Sequence, residues 1–370
     1  MGRGERGRTS AATAPSVGSG GVRPARLSPA WLLAGVAAVV ATSVAGLTLG
    51  PVALPPLGIA AELLNLLPGV DLHSGLTAPE AAIVTQLRLP RVVLGLLVGA
   101  MLALAGGCYQ GVFRNPLADP YLLGAAAGAG LGATIAVALG VSTNLVGGGR
   151  ASGLLPLLAF VGALVGVALS YGLGAVGGRV RTTTSLILAG VAVTSFLTAL
   201  QTYVLQQNVE TIREVYSFIL GSLATAGWSE VRLIAPYALI AAVVVLAQRR
   251  ELDVLSVGDD EATGLGLHPQ RSRYIMVAAA SLGTAAAVSV SGLIGFVGII
   301  VPHTVRLLAG SSQRSVLPLS ALFGAAFLGL CDLVARTALP PTEIPIGVVT
   351  AFFGAPFFIL VLRTATRVGP

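Results

Sequence analysis

RLPRVVLGLLVGAMLALAGGCYQGVFRNPLADPYLLG, residues 88–124, carries no charge between Arg91 and Arg114. A bilayer core about 30 Å thick takes ~20 apolar residues wound as a helix, so this stretch reads as a membrane span. Working outward, uncharged runs of similar size recur along the chain. Candidate spans are 30–50, 91–111, 121–141, 154–176, 185–205, 231–248, 273–290, 293–309, 316–335 and 344–362. The expected fold class is an all-α polytopic membrane protein of about ten transmembrane helices. A transmembrane barrel would alternate apolar and polar residues, and these segments do not.

Composition agrees. Of 370 residues, 55% are apolar and 10% charged, against roughly 25% charged in an ordinary soluble domain. Many of the 48 glycines lie inside the spans, as in LAGGCYQG and GAAAGAGLGA, where small residues let helix backbones approach in lipid. Two cysteines exclude a disulfide scaffold, and no CxxC or Cys/His spacing suggests zinc. No metal or other cofactor is expected. All 22 basic residues are arginine. Without lysine there is no Walker A loop, no Schiff base and no kinase lysine, so any ATP must be hydrolysed by another chain. The +7 net charge comes from arginines scattered between apolar runs rather than gathered on one face, so no nucleic-acid partner is expected.

Arginine-rich short loops stay cytoplasmic. With the N-terminus inside, Arg88, Arg91, Arg150, Arg213, Arg232 and Arg336 lie outside and the other sixteen arginines inside. This predicts ten spans with both termini cytoplasmic, in the cytoplasmic (inner) cell membrane and surrounded by lipid. Residues 1–29 read as a disordered basic cytoplasmic tail. Residues 30–367 read as a single ten-helix domain. The first apolar run is too long for the core of a signal peptide, so the first helix is expected to remain uncleaved.

Three connections are long. Residues 51–87, with five prolines, are expected to be loop plus a short surface helix. Residues 206–230 carry Val209, Ile212, Tyr216 and Ile219 at helical spacing, which predicts a short external helix. Residues 249–272 are cytoplasmic. There, Asp259, Asp260 and Glu261 suit a helix N-terminus, while Gly264 and Gly266 suit its end. That short helix is a candidate contact for a cytoplasmic partner, with Leu265 and Leu267 as exposed apolar anchors; an ordinary solvated loop is the equal alternative.

The sequence also resembles a known family. RLPRVVLGLLVGAMLALAGGCYQGVFRNPLADPYLLG (Arg88–Gly124), GLIGFVGIIVPHTVRLL (Gly292–Leu308) and EIPIGVVTAFFGAPFFILVL (Glu343–Leu362) are similar, in this order, to the motifs of FecCD-type permease subunits of ABC importers for ferric siderophores, haem and cobalamin. The likeness runs from about Leu87 to Arg367. The first 30 residues and the insertion Asn144–Gly153 lie outside it. It implies a homodimer with the substrate path on the two-fold axis, two cytoplasmic ATPase subunits and an extracytoplasmic substrate-binding protein. It further implies inverted similarity between helices 2–5 and 7–10. The implied cargo is most often a ferric siderophore, with cobalamin or haem as alternatives.

The resemblance also implies roles for single residues. Arg88, Arg91 and Arg336 match positions that face acids on the binding protein, although interfacial snorkelling would by itself explain Arg88 and Arg91. Thr183 and Thr184 match positions that narrow the cytoplasmic gate, while the run Thr182–Ser185 also suits a helix cap. Gly258, Asp259, Asp260, Glu261, Ala262, Gly264, Leu265, Gly266 and Leu267 form the stretch expected to couple to the ATPase. Asp119 is expected to pair structurally in FRNPLADP with Arg114 and Asn115, and Asp332 with Arg336. His303, in VPH, is read as structural.

Two rivals remain. An ion-coupled secondary transporter also uses inverted repeats, but it usually needs mid-membrane acids or histidines. Asp119, Asp332 and Glu343 fall near span ends. A membrane-embedded enzyme would need a cluster of such groups, and none is visible.

Overall fold

The structure is a computed structural model that describes residues 27–140, 153–174 and 183–365. Residues 1–26 of the expected tail, the insertion from Asn144 to Ser152, Thr182, and Arg150, Arg179, Arg181 and Arg367 lie outside the described residues, and Pro29, expected as the tail's last residue, begins the first helix. Every regular element among the described residues is helical. Seven helical segments are long and apolar enough to cross a membrane, and three shorter apolar helices stand where the other three spans are expected.

The helices follow the chain as α1 (Pro29–Thr48), α2 (Pro56–Leu64), α3 (Ala78–Ala82), α4 (Leu89–Val112), α5 (Ala125–Ala138), α6 (Leu154–Leu173), α7 (Thr183–Gln207), α8 (Ile212–Ile219), α9 (Trp228–Ala247), α10 (Arg249–Leu255), α11 (Asp259–Gly264), α12 (Pro269–Ser291), α13 (Val297–Ala309), α14 (Gln313–Thr337) and α15 (Ile346–Ala365). The region 51–87 differs from the loop expected. Although α2 is its short helix, a π-helical turn at Ile83–Arg88 joins α3 to α4 as one segment of 35 residues. Pro90 stands just after the π-helical turn, and such a local adjustment lets a membrane helix run on through a proline.

The spans expected at 121–141 and 293–309 are corrected by the fold. Here α5 has 14 residues and α13 has 13. At 1.5 Å per residue each reaches only about 20 Å, short of a bilayer core. Irregular chain precedes both, and at such depth it is tolerated only when buried in protein. The two lead-ins satisfy one another. Tyr121 Oη donates to the Ile294 carbonyl at 3.0 Å and accepts the Ile294 N–H at 3.1 Å. Asp119 accepts the Tyr121 N–H at 2.7 Å, and Asn115 accepts the Leu117 N–H at 3.0 Å. Both short helices start from a residue in the left-handed region, Gly124 (φ 80°) and Phe296 (φ 68°).

The core centres on α4 and α12. Helix α4 packs on α14, α12, α13 and α9; α12 packs on α4, α9, α6 and α5. Each of these two buried helices therefore leans on the second and third helices of the other's half. Glycine makes the contacts close: a Cβ on Gly106 would overlap the Gly298 carbonyl of α13, and one on Gly99 would overlap the Gly324 carbonyl of α14. The packing role read for the span glycines is thus visible in the backbone contacts.

At the margin, α7 is buried along one stripe only, Leu186, Gly190, Val193, Leu197 and Gln201. That is the i, i+3/i+4 spacing of a single helical face, and it packs on α5. Much of the rest of α7 is exposed, as are Val348, Phe352, Phe353 and Ile359 of α15.

Candidate functional site

Two polar clusters stand at opposite ends of α4. The first gathers around Arg91, in its first turn. The Arg91 guanidinium reaches Asp332 of α14 through Nε at 2.9 Å and Nη2 at 2.8 Å. It reaches Glu343, ahead of α15, through Nη1 at 2.9 Å and Nη2 at 2.8 Å. Asp332 is buried, whereas the Glu343 side chain is 37% exposed. One guanidinium thus holds two carboxylates, Glu343 by a two-oxygen fork, the strongest form of such a pair, and Asp332 by two donors that converge on Oδ1.

Arg88 and Arg336 sit beside this clamp and face inward, 5% and 6% exposed. Arg88 donates to the carbonyls of Leu47 (2.7 Å), Thr48 (3.2 Å) and Val52. Arg336 donates to the Gly46 carbonyl at 2.5 Å. Together they satisfy carbonyls at the end of α1, which a helix terminus otherwise leaves unpaired. Asp332 pairs with Arg336 at 3.6 Å, as the sequence suggested, but its closer partner is Arg91, 241 residues away in the chain. Nothing local in the sequence signals that pairing.

The second cluster lies at the other end of α4, where α10 and α11 fold into a hairpin. The expected helix from Asp259 is present as α11, but α10 was not anticipated. Three acids of the hairpin point into the protein. Glu251 accepts from the Ser272 hydroxyl at 2.6 Å. Asp253 accepts from Ser312 Oγ at 2.9 Å and the Gln313 N–H at 2.6 Å, capping α14. Asp259 takes a two-point fork from Arg273 of α12, at 2.5 and 2.7 Å, and a further bond from Arg114 at 2.5 Å. The Arg273 bonds, followed by the nearby positive charges, hold the Asp259 carboxyl below its ordinary range.

The hairpin corrects three expectations. Leu267, expected as an exposed anchor, is half-buried against the main core, and Ala262, expected within the ATPase contact, is fully buried. Arg114 bonds Asp259 and the Leu255 carbonyl rather than Asp119. Leu265 is 71% exposed as expected, and Asp260, Glu261, Gly264 and Gly266 are exposed beside it. Gly258 is buried, and a Cβ there would collide with the Glu261 carboxylate. Of the two threonines expected at a gate, Thr183 opens α7 and Thr184 is exposed.

An all-helical, glycine-packed bundle with long apolar helices and its ionic groups at the helix ends defines an integral membrane transport protein. The family model of the FecCD transport family matches residues 36–364, and the chain belongs to that family: it is a permease subunit of the ABC-importer type. It is 42% identical over 287 residues to an uncharacterized ABC transporter permease protein of Bacillus subtilis, covering 78% of this chain and 80% of that one. It is 40% identical over 306 residues to the cobalamin import permease of Halobacterium salinarum (83% and 80% covered). It is 35% identical over 329 residues to an Fe(3+)-citrate import permease of B. subtilis (89% and 93% covered). A solved structure described as an inward-facing metal-chelate type ABC transporter superposes with a TM-score of 0.77 at 29% identity, covering 91% of this chain and all of that one.

Proposed function

We propose that this permease imports a ferric siderophore, with ATP hydrolysed on separate subunits. Ten segments cross the membrane, α5 and α13 each together with the buried irregular chain that leads into it; both termini are cytoplasmic, and residues 30–367 form one domain. The Arg91 clamp then faces outward and the α10–α11 hairpin faces the cytoplasm. Helices 2–5 (α4 to α7) and 7–10 (α12 to α15) are inverted repeats, a reading supported by the reciprocal packing of α4 and α12. A second copy covers the open faces of α7 and α15, so the pathway runs between two subunits, with Thr183 and Thr184 at its cytoplasmic gate. The binding protein docks on the outer face marked by Arg88, Arg91 and Arg336. Arg91 acts there beside the exposed edge of Glu343, and the other two fix the α1 end on which that surface rests.

The observation that carries the reading is the family match across 36–364 together with the long apolar helices. Identity of 40% to a cobalamin permease favours a second reading, cobalamin import by the same mechanism. The test is chelate binding to the cognate binding protein, followed by fluorescence quenching across ferric hydroxamates, ferric citrate, haem and cobalamin. Selective binding of a ferric chelate supports the proposal; selective cobalamin binding replaces it with the second reading.

A further inference from the structure

The α10–α11 hairpin is tied to the bundle at selected places. Its inward acids reach α12 (Glu251 to Ser272), α14 (Asp253 to the first turn) and both α4 and α12 (Asp259). Its helices pack on α4, α9, α12 and α14. Through Asp259 one side chain of the hairpin reaches the ends of both buried central helices, which also meet each other directly deeper in the bundle at Tyr109 and Ser281. Arg273 lies early in α12, and Arg114 lies just past the end of α4. Arg114 holds a left-handed backbone, φ 49°, which a side chain other than glycine rarely adopts. The Schellman cap that ends α4 sets it, with the Arg114 N–H on the Gly111 carbonyl at 3.3 Å and the Asn115 N–H on the Gln110 carbonyl at 3.1 Å; from there Nε reaches the Leu255 carbonyl at 2.9 Å and Nη2 reaches Asp259. The opposite side of the hairpin, Val257, Asp260, Thr263 and Leu265, is exposed.

We infer that Asp259 is a positioning residue that joins the cytoplasmic hairpin to α4 and α12 together, so that a push on the hairpin moves both central helices at once. This rests on the reading of the hairpin as the ATPase contact. It separates two tasks within one short segment: exposed residues around Leu265 meet the ATPase, while Asp259, Arg114 and Arg273 deliver its movement inward. A carboxylate suits the second task because its two oxygens can take a guanidinium fork and a further N–H together.

The test uses the whole complex in proteoliposomes and reads substrate imported per ATP hydrolysed, a ratio that does not depend on yield. Asp259→Asn keeps the shape and loses the charge, and the ratio should fall at least about fivefold, the lower range of an energetic coupling between sites. Asp259→Glu should recover most of it. Arg114→Gln, which leaves the Arg273 fork in place, gives a second reading should Asp259→Asn not fold, and should lower the ratio as well. An unchanged ratio in the folded variants overturns the inference, as does loss of ATPase binding in Asp259→Asn, which would make Asp259 a contact residue. Leu265→Asp tests the underlying reading separately. If it leaves ATPase binding and uptake at wild-type levels, the hairpin is not the ATPase contact, whatever Asp259 does.

Discussion

Arg91 of α4 and Asp332 of α14 form an ion pair buried at the helix ends, with Nη2 to Oδ1 at 2.8 Å, and the same arginine also holds Glu343. The pair locks α4 and α14, which pack closely along the core, to the segment that starts α15. Removing one partner of a buried ion pair leaves the other uncompensated, at a cost of about 3–5 kcal/mol. Asp332→Ala should therefore lower the thermal unfolding midpoint of the detergent-solubilised protein sharply. The double variant Arg91→Ala/Asp332→Ala should lose less than the sum of the singles, because contacting residues are not additive.

The clamp also bears on docking. Arg91→Glu would set a third carboxylate against Asp332 and Glu343, so it should fail at folding before docking can be read. Glu343→Gln is the milder probe, because Glu343 sits at the exposed edge. It should change the capture rate of the binding protein while the permease stays folded, as expected for a rim charge. Surface-immobilised permease in nanodiscs measures that rate directly.

Gly106 faces the Gly298 carbonyl with no room for a methyl group. Gly106→Ala should push α4 away from α13 and cost about 1–3 kcal/mol or more by overpacking. Size-exclusion profiles and thermal midpoints in detergent would show it. Gly264→Ala, on the exposed hairpin with nothing near its added carbon, should be close to neutral.

The hairpin offers a paired contrast. Leu265→Asp should reduce co-purification of the ATPase while leaving the thermal midpoint unchanged, because the side chain is already in solvent. Ala262→Asp should do the reverse and unfold the hairpin, since it buries a charge without a partner.

Asp259 also fixes a pH dependence. Its carboxyl is depressed in the folded protein, so its contribution is fully present above the ordinary carboxylate range and fades as pH falls through the lowered folded value. Imported substrate per ATP should therefore be flat between about pH 6 and 8, well above that range. A loss of coupling within this window that Asp259→Asn abolishes would contradict the assignment.

What the sequence made legible follows from the physics of each feature. Apolar run length marked the places of the ten principal helices because lipid leaves an uncharged segment few alternatives. It overestimated α5 and α13, since apolar residues in a buried loop look the same as those in a helix. Tyr121 serves Ile294 across 173 residues, a pairing no local pattern announces. Asp259 was visible as a helix-opening acid, but its two arginines come from distant helices, so its inward aim was not. Leu267 read as an exposed anchor, and the burial of Ala262 was not visible, because so short a stretch shows too little periodicity to separate its faces. Arg88 and Arg336 were found as members of a motif, while their burial against α1 depends on packing.

The most direct measurement is uptake of a radiolabelled ferric chelate into proteoliposomes that hold this permease with its ATPase, in the presence of loaded binding protein. The account predicts accumulation that requires ATP inside and binding protein outside, and that persists when ionophores collapse all ion gradients. Uptake that proceeds without ATP and stops with the ionophores would contradict it and point to an ion-coupled carrier.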